Sequence, residues 1–292
     1  MDSLTAASIL YKPDVIIIVE THVVEKTSIN IKGYKEKIMR NRKSKGGGII
    51  IAKRDDAKIN MIAVKIHETN EQVWAKINNN IFAIVYAPIE SRTEPTEIEE
   101  WYYELEKEYS IWQEEQVIIM GDFNSHVGND NLGIQGNNGK ISRSGEILRS
   151  LIERRDLTII NNTKNCTGKW TREDPSGSKS IIDMIITNNN AHQSIQKMQI
   201  DEEHNYKLSR VKRSKSNKTI IKSDHNTILL ELDKYTEQTP NQKSKIWNVK
   251  DNNAWEKYKN ETENIVMIEK WKNEENMNKK YSIWSRQMKS LM

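Results

Sequence analysis

Four times in this chain an apolar, β-branched run meets an acidic or amide residue, and no other feature limits the fold so strongly. Val15-Ile16-Ile17-Ile18-Val19 runs into Glu20-Thr21-His22, and Val117-Ile118-Ile119-Met120 runs into Gly121-Asp122-Phe123-Asn124. Ile181-Ile182-Asp183-Met184-Ile185-Ile186 carries a lone carboxylate among isoleucines, and Ser223-Asp224-His225-Asn226 leads into a last run ending at Leu232. Short apolar runs bounded by turn residues read as buried strands. A charge beside or inside such a strand is costly unless it is paired or bound to a metal. Strand ends meet at one edge of a sheet, so residues far apart in sequence can share a site there.

The rest of the first 233 residues supports that reading. Further β-branched runs lie at Ile49–Ala52, Ile59–Ile66, Val73–Ile77, Ile81–Tyr86 and Leu157–Ile160. The pair around Asn78-Asn79-Asn80 predicts a hairpin. Helices are predicted over the first ten residues, over Pro95–Glu115 (proline in the first turn) and over Ser144–Arg155, with Ile147, Leu148, Leu151 and Ile152 facing inward. Many strands with few helices between them predict an α/β or α+β sandwich with long loops at one edge. After Leu232 the texture changes. Residues 233–244 are polar with no apolar period and predict a linker. The segment from Trp247 holds four of the eight tryptophans but few aliphatics, which predicts a partly helical extension unable to fold alone. The expected organisation is a domain over residues 1–233 and an extension over 234–292.

Composition removes several classes. No apolar run approaches the roughly 20 residues of a membrane helix, and the N-terminus lacks a signal-peptide core, so neither a membrane protein nor a secreted one is expected. The single cysteine, Cys166, excludes a disulfide scaffold or a cysteine-rich zinc site. The net charge of +4 carries little weight, because the excess of Ile (40), Lys (33) and Asn (30) is what an A/T-rich coding sequence produces. Local clusters say more. Lys32–Lys45 holds seven Lys/Arg against one Glu, and Asn205–Lys222 holds seven with no acid, directly before Asp224-His225. A loop of that charge at the mouth of a site suits DNA phosphates, with Arg210 and Arg213 as the expected contacts. A lysine-rich run solvated on the surface is the plainer alternative.

The chemistry that suits the four strand ends is metal-assisted phosphodiester hydrolysis. Glu20 is a hard oxygen ligand for Mg²⁺. Asp122, steadied by Asn124, can orient or deprotonate the attacking water. His225 can donate to a phosphate oxygen, with Asp183 fixing its tautomer, and Asp224 can assist with water or metal. Each residue has a plainer reading: Gly-Asp-x-Asn is good turn chemistry, Asp183 could face solvent from an edge strand, and Tyr86 could be a core aromatic.

The strings Val-Glu-Thr-His (19–22), Gly-Gly-Gly-Ile (46–49), Tyr-Ala-Pro (86–88), Gly-Asp-Phe-Asn (121–124), Ile-Asp-Met-Ile (182–185) and Ser-Asp-His (223–225) follow one another in that order. The series resembles the endonuclease/exonuclease/phosphatase superfamily, the DNase I-like fold, and more narrowly the endonuclease of non-LTR retrotransposons. The resemblance implies a four-layer α/β sandwich, Mg²⁺ dependence with Mn²⁺ able to substitute, and DNA nicking. It implies Glu20 as metal ligand, Tyr86 contacting the phosphate, Asp122 and Asn124 activating water, Asp183 supporting the histidine, and Asp224-His225 closing the site. Lys169-Trp170-Thr171-Arg172 resembles a loop beside the active site, where Trp170 would wedge against a base step or pack on the sheet, and Arg172 would contact DNA.

The family begins with a strand bearing an asparagine. This chain starts in what looks like the following helix, so the first strand is expected to be missing. The tail resembles the connector toward a reverse transcriptase in cis. Other superfamily phosphodiesterases (apurinic-site endonucleases, lipid or inositol phosphatases) and a catalytically impaired retroelement relic are the rival expectations. A nuclear or cytoplasmic location is expected, with Lys212-Arg213-Ser214-Lys215 as a weak import signal.

Overall fold

The computed structural model describes residues 3–24, 29–42, 47–134, 139–203, 205, 209–213 and 218–233. The expected linker and connector, residues 234–292, lie outside these. Helix α1 (Ser3–Tyr11) is followed by strands β1 (Val15–Val19), β2 (Glu36–Arg40), β3 (Ile49–Lys53), β4 (Met61–Ile66), β5 (Gln72–Ile77) and β6 (Asn80–Tyr86). Helix α2 (Pro95–Trp112), β7 (Gln116–Asp122), helix α3 (Arg143–Arg154), β8 (Thr158–Ile159), β9 (Cys166–Thr167), β10 (Arg172–Glu173), β11 (Lys179–Ser180) and β12 (Asp183–Thr187) come next. The short helix α4 (Asn189–His192) and strands β13 (Ile195–Ile200), β14 (Ser209–Arg213), β15 (Lys218–Lys222) and β16 (Ile228–Leu232) complete the order.

Among the described residues the largest sheet has six strands in the order β4-β5-β6-β7-β12-β8. Its β6–β7 pair is parallel, and its other pairs are antiparallel. Two three-stranded sheets, β1-β3-β2 and β16-β13-β9, pack on one of its faces. Alternation decides which side chain goes where. Ile81, Ala83 and Val85 of β6, Val117 and Ile119 of β7, and Met184 and Ile186 of β12 face helices α2 and α3. Phe82, Ile84, Ile118 and Ile185 face the opposite way, against Ile49, Ile51, Met198 and Ile200. The outer face of β1 and β3, through Ile16, Ile50 and Ala52, is covered by Leu4 of α1 and by Val23, Ile31 and Tyr34. Helices, sheet, paired smaller sheets and helix make the four layers.

The helices form for local reasons. Pro95 opens α2, whose face of Ile98, Trp101, Tyr102, Leu105 and Tyr109 is buried. Sequence predicts α2 to Glu115. It stops at Trp112, and the Asn188 amide satisfies the carbonyls of Gln113 (3.1 Å) and Glu115 (2.8 Å) just beyond its end. Ser142 caps α3 by accepting the Gly145 amide at 3.1 Å. Arg154 and Arg155 at its far end clasp Glu106 of α2 at 2.7 and 2.8 Å. Strand β2 lies inside the basic run Lys32–Lys45, where charge masks its pattern, and its Arg40 is buried.

Candidate active site

The register of the six-stranded sheet builds the site. Tyr86, the last residue of β6, pairs across the parallel ladder with Asp122, the last residue of β7. Asp122 in turn stands opposite Asp183, the first residue of β12. Asp183 therefore begins its strand instead of sitting inside it, as its sequence context suggested. Tyr86 comes two residues after Ile84 and Asp183 two residues before Ile185, so both share the parity of the face that looks toward the smaller sheets. Asp122 shares the parity of Ile118. The three side chains form one row at the mouth of the inter-sheet core. Tyr86, Asp122 and Asp183 are all buried.

Two devices hold the centre of the row. Gly121 has φ of 143° and brings β7 so close to the Val85 carbonyl that a methyl group would overlap it. Asn124 sits at φ 46°, a conformation that asparagine tolerates well. Its backbone amide donates to Asp122 Oδ1 at 2.8 Å, and its side-chain amide donates to the Ala87 carbonyl at 2.9 Å. Ser125, fully buried beneath this turn, meets the Tyr102 hydroxyl of α2 at 2.9 Å. The Gly-Asp-Phe-Asn turn is thus both turn chemistry and site.

His225 closes the row. Its Nδ1 lies 3.0 and 2.9 Å from the two oxygens of Asp183, which leaves Nε2 at the far side of the ring. Ligand atoms of Asp122, Asp183 and His225 lie within 4.8 Å of one another. Burial alone would depress the imidazole. The bond and charge of Asp183, with the charges of Asp122 and Asp224, outweigh it and push His225 up to about 9. Asp122 moves up as well, through burial first and the neighbouring Asp183 charge second.

Glu20 arrives from the facing sheet. It follows β1 at φ 55°, and its Oε1 accepts the Tyr86 hydroxyl at 2.8 Å. Burial and the Glu20 charge hold that phenol protonated, well above its ordinary range. Asp224 and Arg172, expected at metal and at DNA, are bonded to each other, with the guanidinium Nε and Nη2 both 2.8 Å from Asp224 Oδ2. The charges of His225 and Arg172 outweigh burial and hold the Asp224 carboxyl below the usual range. Trp170 packs partly against the core on the helical side of the sheet, and Lys169 Nζ lies 4.2 Å from its ring centre. Arg210 and Arg213 occupy β14 of a two-stranded ribbon, opposite Ile221 and Lys218, and their side chains lie outside the described residues.

Sequence reasoning missed Thr171. It is fully buried, its hydroxyl accepts the amides of Ile182 (3.0 Å) and Asp183 (3.1 Å), and its carbonyl accepts the Asn226 amide at 2.7 Å. Thr171 therefore ties the loop of Arg172 to the start of β12 through its side chain and to the segment that carries His225 through its backbone. A lone threonine in a polar loop gives no pattern by which to find it.

A sandwich of sheets between helical layers, with carboxylates and a histidine gathered at its strand ends, is the DNase I-like fold of the endonuclease/exonuclease/phosphatase superfamily. Within it, the chain belongs to the family described as endonuclease-reverse transcriptase, which matches residues 81–229. Solved structures share the fold at low identity. A 3′ phosphatase, NExo, from Neisseria, bound to a product DNA hairpin, is 16% identical, with 78% of this chain and 92% of that one covered and a TM-score of 0.57. The endonuclease domain of TRAS1, a telomere-specific non-LTR retrotransposon, is 17% identical over 80% of this chain and 92% of that one, at a TM-score of 0.55. An AP endonuclease from Archaeoglobus fulgidus is 15% identical over 79% and 93%, at 0.53. Comparison with curated protein sequences finds no match. Family and fold together support a nuclease or phosphodiesterase. Among the described residues no helix is long and apolar enough to cross a membrane.

Proposed function

We propose that the chain is a Mg²⁺-dependent endonuclease that nicks DNA by water attack on a phosphodiester and leaves a 3′ hydroxyl. It would act as the endonuclease of a non-LTR retrotransposon with a reverse transcriptase in cis, in the nucleus or cytoplasm. The observation that carries this reading is the row Tyr86–Asp122–Asp183 closed by His225.

The donor set fits a hard divalent cation. Among the described residues neither Asp122 nor Asp183 is paired with a lysine or arginine, and Glu20 adds a further carboxylate beside Tyr86. Glu20 would hold the ion, with the Asp122 carboxylate in the neighbouring position of the row that Tyr86 begins. Bound Mg²⁺, or Mn²⁺ in its place, supplies positive charge to the phosphate and the leaving oxygen.

The chain's own residues do the rest. Asp122, raised in pKa by burial and Asp183, is a base poised to take a proton from the attacking water. Asn124 fixes its carboxylate through the backbone bond to Oδ1. His225, protonated at neutral pH, presents Nε2 as a donor to a phosphate oxygen as charge develops. Asp183 orients that ring. We assign Asp224 to the bond with Arg172, which braces the loop beside His225. The basic ribbon β14–β15, which enters the site's last strand through Asp224-His225, supports a polyanionic substrate.

The test is plasmid nicking by the full chain with Mg²⁺ or with EDTA, beside Asp122→Ala and His225→Ala. Relaxation that needs Mg²⁺ and disappears in both variants is expected. Equal nicking in EDTA, or full activity in either variant of a folded chain, would overturn the reading. Abasic duplexes and inositol phosphates in the same assay separate the rival superfamily substrates.

A further inference from the structure

We infer that the pair of buried Arg40 and half-buried Glu71 is a positioning device that sets Glu20 against Tyr86. The inference rests on the reading of Glu20 as a metal ligand.

The observations form a closed ring of bonds. Glu71 lies just before β5, and its carboxylate Oε2 accepts the amide of Gly48 at 3.0 Å. Its other oxygen is ion-paired with the Arg40 guanidinium. Gly48 then accepts the Thr21 amide through its carbonyl at 3.1 Å, and Gly47 accepts the His22 amide at 3.0 Å. Those two residues directly follow Glu20, which reaches the Tyr86 hydroxyl. The ring closes because the Glu71 carbonyl accepts the Tyr86 amide at 2.9 Å. One residue thereby fastens both chain segments that bear the Glu20–Tyr86 contact.

The ring has little slack. Gly47 and Gly48 sit at φ 75° and 92°, and a methyl group on Gly48 would overlap the Thr21 hydroxyl. Arg40 is fixed independently of Glu71: it is 5% exposed, its Nε donates to the His67 carbonyl at 2.9 Å, and it stands opposite Ile49 in register. Glu20 itself lies past the end of its strand at φ 55°, where no ladder bond of β1 holds it. Its placement depends on the turn that Glu71 grips.

The experiment measures Mn²⁺ affinity of the full chain without DNA, by calorimetry or the loss of free-ion electron paramagnetic resonance signal. Thermal melting is recorded in parallel. The variants are Glu20→Gln, Glu71→Ala, Glu71→Gln and the Glu20→Gln/Glu71→Ala double. Partners that orient a ligand typically change affinity by about 10- to 100-fold when removed, and Glu71→Ala is expected near the lower end. The double variant should bind no more weakly than Glu20→Gln alone, because the two losses act through one ligand. Glu71→Gln keeps an acceptor for Gly48 but loses the charge facing Arg40, and its affinity should fall between wild type and Glu71→Ala. If Glu71→Ala does not fold, Glu71→Gln carries the comparison with Glu20→Gln. Unchanged Mn²⁺ affinity in the Glu71 variants, with Glu20→Gln weakened, overturns the positioning role and leaves the metal reading standing. Additive losses in the double overturn it too. Unchanged affinity in Glu20→Gln overturns both.

Discussion

The two sides of the site are held by different means. Asp122 and Asp183 are buried and set by sheet register at the mouth of the inter-sheet core, and the half-buried ring of His225 is held by its bond to Asp183. Glu20 is set by a turn, in a left-handed conformation beyond the end of β1, and is half-buried. The contrast is chemical as well as mechanical. Groups that trade protons need a fixed, dry setting that shifts their pKa, which burial and close charges supply. A carboxylate that must meet a hydrated ion needs access, and a gripped turn gives access without freedom.

The sharpest way to break the comparison is at its buried side. Asp122→Asn removes the base while leaving shape intact, and nicking should fall by about a thousandfold, within the range for general base catalysis, with melting temperature unchanged or raised. Relief of repulsion from Asp183 is the reason for the second expectation. A loss of activity only in proportion to unfolding would place Asp122 among structural residues.

Next in size is the pH limb of His225. Its folded pKa is raised to about 9, above the ordinary value of 6.5, so its charge is complete at neutral pH and lost as pH rises through about 9. The same sign holds for stability, whose contribution is full below the unfolded pKa and lost toward pH 9. Activity should decline above pH 9. Asp183→Asn should lower the rate about a hundredfold and move that limb downward, toward the value of a free imidazole. A limb that stays in place would uncouple His225 from Asp183.

The open side should respond differently. Glu20→Gln is expected to raise the Mg²⁺ concentration needed for half-maximal nicking by about tenfold, with saturating metal restoring much of the rate. A rate that no metal concentration improves would put Glu20 in the same category as Asp122. The smallest effect belongs to a residue outside both sides. Glu106→Gln removes the α2–α3 clasp to Arg154 and Arg155. It should lower stability by about 1 kcal/mol or less, as for other partly exposed ion pairs, and leave the pH and metal profiles alone. Burial works against the Glu106 charge, but the two arginines outweigh it and depress its pKa. Its contribution is therefore present above the unfolded pKa and lost as pH falls through the folded one, so wild type and variant should converge in acid melts.

How far the sequence reveals this depends on which interaction fixes each residue. Strands β3, β6 and β7 are visible because their burial on both faces leaves long β-branched runs, and β1, mostly half-buried, shows the same kind of run. Asp122, Asp183 and His225 stand out because polar residues at such runs have no cheap explanation. The row itself is not legible, since pairing Tyr86 with Asp122 and Asp122 with Asp183 is a matter of register, which no one segment encodes. Strand β2 lies within a run dense in lysine and arginine, where nothing in the sequence distinguishes Arg40 as the buried one. Glu71 belongs to no pattern that would set it apart from its polar neighbours. Arg172 and Asp224 each suggested an external partner, and only the fold shows that they satisfy each other.

The row of Tyr86, Asp122 and Asp183 carries a consequence for how this chain can go wrong. Side chains alternate across a strand, so sliding β7 by one residue would turn Asp122 toward the helical layer. Ile118 and Ile119, like Val117 and Ile118, are apolar neighbours that either face would accept. A misfolded chain could therefore keep much of its core and most of its secondary structure while holding no site at all. Nicking activity per mole of soluble protein is then a gauge of correct strand pairing, one that circular dichroism would not give.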